Sequence, residues 1–150
     1  MRVIAGIEAL RALAGQEVAC SEWVEIDQGR VDLFADATMD RQWIHTDPVR
    51  ARQSPFGGTI AHGYLTLSLL PALLERSLRI EGEAVYLNYG LDKLRFPSPL
   101  PVGSRIRARF TLAGVTDVAG GVQVAWHAVV EREGGDKPVC VAALLYRRYG

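Results

Sequence analysis

Apolar and polar residues alternate along 104–115, where Ile106, Ala108, Phe110 and Leu112 stand between Arg105, Arg107, Arg109 and Thr111. A period of two marks a half-buried strand, because successive side chains point to opposite faces of a sheet. Segments 122–131 and 138–149 read as two further long strands, separated by Gly134-Gly135-Asp136. Segment 86–96 supplies another. The first part of the chain keeps a different period. Ile4, Ile7, Leu10 and Leu13 fall at near-helical spacing, which predicts a short amphipathic helix over 3–14, ended by Gly15. A strand is predicted over 17–26. Asp27 then caps a helix over 28–37, with Val31, Leu33, Phe34 and Ala37 as its apolar residues.

Periodicity fails from 38 to 61. Within that stretch Asp47-Pro48 has the form of an N-cap with proline at the first helical position, so a short helix is predicted over 48–53. Pro55, Gly57 and Gly58 make 54–59 a loop. The segment 63–78 then carries Leu65, Leu67, Leu69, Leu70, Leu73, Leu74 and Leu78, apolar on nearly every face, which is the pattern of a buried helix. Pro71 is expected to bend it, since proline removes a backbone hydrogen bond and crowds the preceding turn. A long buried helix followed by an antiparallel meander is an α+β arrangement.

At 150 residues, 49% of them hydrophobic and 23% charged, the chain is read as one soluble globular domain over 1–150. Lys plus Arg equal Asp plus Glu at 17 each, so no overall field favours nucleic acid, and none is expected as a partner. Cys20 and Cys140 lie far apart without a ligand or redox spacing and are read as reduced thiols in plain core positions. The longest apolar run, 65–74, is too short to span a bilayer, and Thr66, Ser68 and Pro71 interrupt it. The amino terminus shows no signal-peptide core. A cytoplasmic protein without membrane contact is the expectation.

The candidate chemistry lies where the periodicity is lost. Asp40 and His45 supply a carboxylate and an imidazole, a pair able to hold and activate water. Their spacing is about 140° around an ideal helix, so they converge only if the chain turns after Asp40. His62-Gly63 opens the buried helix, where unpaired N–H groups and the helix dipole favour a developing oxyanion.

The Asp40-to-His45 spacing, Thr46-Asp47-Pro48 and Ala61-His62-Gly63 resemble the hydratase motif of MaoC-like dehydratases, the (R)-specific enoyl-CoA hydratases. Gln42-Trp43-Ile44-His45, the run from Pro55 to Gly63, the run from Leu65 to Pro71, Asn88-Tyr89-Gly90-Leu91 and Lys93-Leu94-Arg95-Phe96-Pro97 are similar to the NodN-like branch. The resemblance implies a hotdog fold, a curled sheet wrapped around the central helix, and a homodimer. It implies that Asp40 and His45 hold the water that adds to C3 of a trans-2-enoyl thioester, with Gly63 N–H stabilising the enolate-like oxygen. The product is then an (R)-3-hydroxyacyl thioester, or the reverse dehydration runs. An acyl-CoA or acyl carrier protein thioester would be the substrate, with no cofactor. No metal is implied, because the histidines are not read as a ligand cluster.

Ser68, Trp43, His62 and Met39 are further candidates for the substrate site. His62 is read as ordering the helix entrance through backbone hydrogen bonds, and Met39 stands where this family usually has glycine before the aspartate. If that position needs a positive φ, methionine costs about 1–2 kcal/mol there or forces another path. Arg50, Arg52, Arg95 and Arg147 are candidates for coenzyme A phosphates or an acidic carrier. His127 is read as structural, and Trp23 and Trp126 as core or interface. A hotdog acyl-thioesterase, or a non-catalytic acyl-thioester-binding protein, are the rival readings.

Overall fold

The computed structural model describes residues 1–150. Its first part is a string of short elements: strand β1 (Arg2–Ile4), helix α1 (Gly6–Arg11), strands β2 (Glu17–Cys20) and β3 (Val24–Glu25), and helices α2 (Gln28–Thr38), α3 (Trp43–Thr46) and α4 (Pro48–Ala51). Helix α5 (Gly63–Ser77) follows, then strands β4 (Leu78–Ile80), β5 (Val85–Arg95), β6 (Arg105–Val118), β7 (Gly121–Arg132) and β8 (Cys140–Tyr149).

The alternating segments form one antiparallel sheet in the order β2-β6-β7-β8-β5, with β3 also paired to β6. Alternation decides which side chains turn inward. On β6 these are Ile106, Ala108, Phe110 and Leu112; Val124, Trp126, Ala128 and Val130 join them from β7, and Cys140, Ala142 and Leu144 from β8. Helix α5 packs against this sheet through Leu65, Leu70 and Leu73. The result is the expected α+β hotdog arrangement, a helix laid against an antiparallel sheet. Its driving force is burial of that apolar face, about 25 cal/mol per Å² removed from water.

Several local expectations change in the fold. The helix predicted over 3–14 shrinks to α1, because Arg2–Ile4 instead pairs in parallel with Leu78–Ile80 at the far end of α5. The strand predicted over 17–26 is broken at Ser21, whose hydroxyl donates to the Glu22 carbonyl and accepts the Ala108 N–H, satisfying the interrupted ladder. On α2 Val31 is buried as expected, but Leu33 is 72% exposed and Ala35 completes the buried face. Helix α3 was not foreseen, and the helix predicted over 48–53 stops at Ala51. Helix α5 runs on through Pro71.

Of the tryptophans, Trp126 is core, while Trp23 is half-buried beneath the Arg107 guanidinium at 4.5 Å. His127 is exposed on β7. Cys140 is core as expected, and burial pushes its thiol up to about 11, whereas Cys20, read as core, is an exposed free thiol because it ends β2 on the outer face of the sheet.

Candidate active site

The site starts from how α2 ends. Asp27 caps its first turn, its carboxylate accepting the Arg30 N–H at 2.8 Å, as the sequence predicted. At the other end Met39 adopts the left-handed conformation, φ 63° and ψ 13°, and breaks the helix. That turn separates Asp40 from α2 and lets α3 come back toward it. Asp47 caps α4 through the Arg50 N–H at 3.0 Å.

Hydrogen bonds from α2 and from the 59–60 segment hold α3. Gln28 donates to the His45 carbonyl at 2.7 Å and accepts the Thr59 hydroxyl at 2.6 Å. Ile60 N–H donates to the Ile44 carbonyl at 3.0 Å. His45 Nδ1 lies 2.6 Å from the Ile60 carbonyl oxygen. A carbonyl only accepts, so Nδ1 carries the proton and Nε2 presents a lone pair. Burial pushes the His45 pKa down; the Ile60 hydrogen bond and Asp40 act against that, and His62 adds to it. The neutral imidazole, a base, is therefore favoured.

His62 precedes α5 as its N-cap. Its Nε2–H donates to the Asp40 carbonyl at 2.9 Å, and its ring stacks on His45 with 3.8 Å between centroids and 24° between planes. Donor atoms of Asp40, His45 and His62 all lie within 4.8 Å of one another. Asp40 is exposed, whereas both histidines are buried. The expectation that the histidines form no cluster is thereby corrected: 17 positions of sequence separation close into ring contact because 54–61 folds back along α3. Carboxylate and imidazole are donor types that divalent transition metals take. Here one nitrogen of each histidine is already engaged by a backbone carbonyl.

Gly63 follows directly. The first N–H groups of α5 to find an acceptor are those of Leu65 and Thr66, both on the His62 carbonyl; the Gly63 N–H precedes them and has no helical partner. A Cβ on Gly63 would sit 2.8 Å from Phe96 Cδ2 and Cε2. Phe96, which also meets Tyr64 edge-on at 5.9 Å, thus covers the helix start. Sequence reasoning assigned Phe96 no role; glycine at a helix start beside a distant aromatic leaves no periodic signal.

The remaining candidates are less engaged with this group. Ser68 is exposed and donates its hydroxyl to the Tyr64 carbonyl at 2.7 Å. Trp43 is half-buried with the Arg50 guanidinium over its ring at 4.3 Å. Met39 is 79% exposed, so its side chain makes no wall. Among the arginines, Arg147 stacks on Tyr89 at 3.9 Å, and Arg95 donates to the Leu94 carbonyl. A cavity of about 580 Å³ lies along the far half of α5, lined by Pro71, Leu74, Leu78 and Tyr146, and includes none of Asp40, His45, His62 or Gly63. The site is therefore assigned by its chemistry and not by cavity size. Carboxylate, neutral imidazole and a free helix-start N–H can together take a proton from water while a neighbouring oxyanion is stabilised.

Comparison with known proteins gives a consistent picture. The family described as "MaoC like domain" matches residues 10–134. The chain is 51% identical over 148 residues to 3-hydroxyacyl-thioester dehydratase Z of Mycobacterium tuberculosis, covering 98% of each. It is 49% identical over 131 residues to nodulation protein N of Rhizobium leguminosarum bv. viciae, covering 85% of this chain and 81% of that one. Among solved structures, the R-hydratase from Pseudomonas aeruginosa superposes with a TM-score of 0.71 at 25% identity, covering 91% of this chain and 81% of that one.

Proposed function

Since this chain belongs to the MaoC-like domain family, we propose that it is an enzyme that adds water to a trans-2-enoyl thioester, giving the (R)-3-hydroxyacyl thioester, or runs the reverse dehydration. The observation that carries this reading is the convergence of Asp40 and His45, with a free imidazole Nε2, at the head of α5. Water held by Asp40 and His45 gives a proton to His45 Nε2 or the carboxylate as its oxygen bonds to C3. The electron pair of the C2–C3 double bond moves toward the thioester carbonyl, whose enolate-like oxygen accepts the Gly63 N–H. The proton then returns to C2. No cofactor enters these steps, and coenzyme A or acyl carrier protein bears the acyl group.

We also propose a homodimer. Strand β5 is a sheet edge exposed along nearly all its length, and Val85, Leu87, Tyr89 and Leu91 stand open there. A long apolar edge invites a second strand. It continues into Phe96 beside Gly63, so a second copy on β5 would lie close to the site. No helix is long and apolar enough to cross a membrane; a cytoplasmic location is part of the same proposal.

The test is crotonyl-CoA consumption, followed as loss of enoyl-thioester absorbance with a thiol reagent in parallel. Absorbance loss without thiol is expected, and Asp40→Asn should lower kcat by about 10²–10⁴. Release of free thiol would make the protein a thioesterase. Binding of enoyl thioesters of every chain length without turnover would make it a binding protein.

A further inference from the structure

The hydration steps above leave His62 unused, yet no other side chain bonds or stacks with both members of the Asp40–His45 pair. Its ring is 3% exposed, lies face to face with His45, and meets Phe34 of α2 on a tilted contact of 4.9 Å. Its Nε2–H holds the Asp40 carbonyl.

Asp40 has little else to fix it. Its N–H reaches the Thr38 hydroxyl at only 3.4 Å, and it follows the left-handed Met39. Its carboxylate makes no hydrogen bond or ion pair within the chain. His45, by contrast, is tied through Nδ1 to Ile60, a bond that sets the ring's edge but leaves it free to rock about that axis. A face contact is what stops such rocking. His62 supplies both missing restraints from the N-cap of a fifteen-residue helix, the longest in the chain.

We propose that His62 is a positioning residue that fastens the Asp40 main chain and the face of the His45 imidazole to the head of α5, making carboxylate, base and Gly63 N–H one rigid unit. This inference rests on the hydration reading and deepens it. Geometry of this kind matters, because a misplacement of about 1 Å costs about 10² in rate.

Two variants separate the two contacts. His62→Gln keeps an amide donor where Nε2 stands and loses the ring face. His62→Phe keeps the face and loses the donor. Thermal unfolding verifies that each is folded. With crotonyl-CoA, both should lower kcat about 10-fold or more while KM moves less than about 3-fold, and His62→Ala, lacking both contacts, should fall lowest. Unchanged kcat in folded His62→Gln and His62→Phe would overturn the proposal. A raised KM with kcat intact would also overturn it, making His62 a substrate contact.

A second arm is independent of turnover. The titratable groups facing His45 are Asp40, from the turn after α2, and His62, from the head of α5. Titration of the His45 ring nitrogens by NMR should move up in His62→Gln, where the covering ring is gone, and by less in His62→Phe. No wild-type hydration of any enoyl thioester would remove the hydration reading alone. An unchanged His45 titration in His62→Gln would remove the positioning role.

Discussion

Met39 is the only residue other than glycine with a positive φ. Its Cβ meets the following carbonyl oxygen in that conformation, at about 1–2 kcal/mol, and its exposed side chain recovers nothing by packing. Met39→Gly should therefore raise stability by about 1 kcal/mol after glycine's greater freedom in the unfolded chain is subtracted. Calorimetry would read this as about 2–4 °C in Tm; a fall would mean the side chain packs in solution. His45 carries a prediction in pH. Its folded pKa lies below the unfolded value of 6.5, so the unfolded chain binds more protons between the two. Its contribution to stability is complete above about pH 6.5 and is lost as pH falls through the folded pKa. Urea midpoints at pH 7.5 and 5.5 should differ less in His45→Asn than in the wild type. At this scale the sequence singled out Asp40, His45 and His62-Gly63 as one group, and the structure brings Asp40, His45 and His62 together at the head of α5. The conformation of Met39 was conditional until the turn was seen, because an αL residue is unmarked unless it is glycine.

The caps of α2 and α4 were legible because Asp27 and Asp47 bond N–H groups three residues on, within reach of local sequence. Strand β1 was not, because its partner β4 lies 76 positions along the chain and only that pairing makes residues 2–4 a strand. Helix α5 was read correctly from its leucines, but its start carries a constraint from outside it. Gly63 combines a free N–H with the close approach of Phe96. The two roles can be separated by experiment. Proline is accepted at the first helical position, and His62, with φ −61° and ψ 136°, already has the conformation a following proline prefers. In a Phe96→Ala background, which clears room for the ring, Gly63→Pro should remove the N–H without unfolding the helix. A loss of kcat of about 10²–10³ relative to Phe96→Ala is expected. Equal kcat in the two would remove Gly63 from the oxyanion role.

For the whole molecule, the open β5 edge predicts self-association. The wild type should sediment as about twice its 16.4 kDa chain, and Leu87→Glu should sediment as a single chain, since a charge on an exposed edge strand opposes pairing while leaving the monomer core intact. If Leu87→Glu remains dimeric, the interface lies elsewhere. Long-range order is where the sequence by itself stops. Alternation of period two specified β6, neighbouring segments of the same character were read as β5, β7 and β8, and leucine density specified α5, because each is a property of consecutive residues. The motif residues specified the family. Only the tertiary structure decided that β5 pairs with β8 and is left as an edge, that Phe96 closes on Gly63, and that His62 stacks on His45. Those contacts join residues whose separation along the chain has no period, and they form only once burial of the sheet face against α5 has brought their segments together.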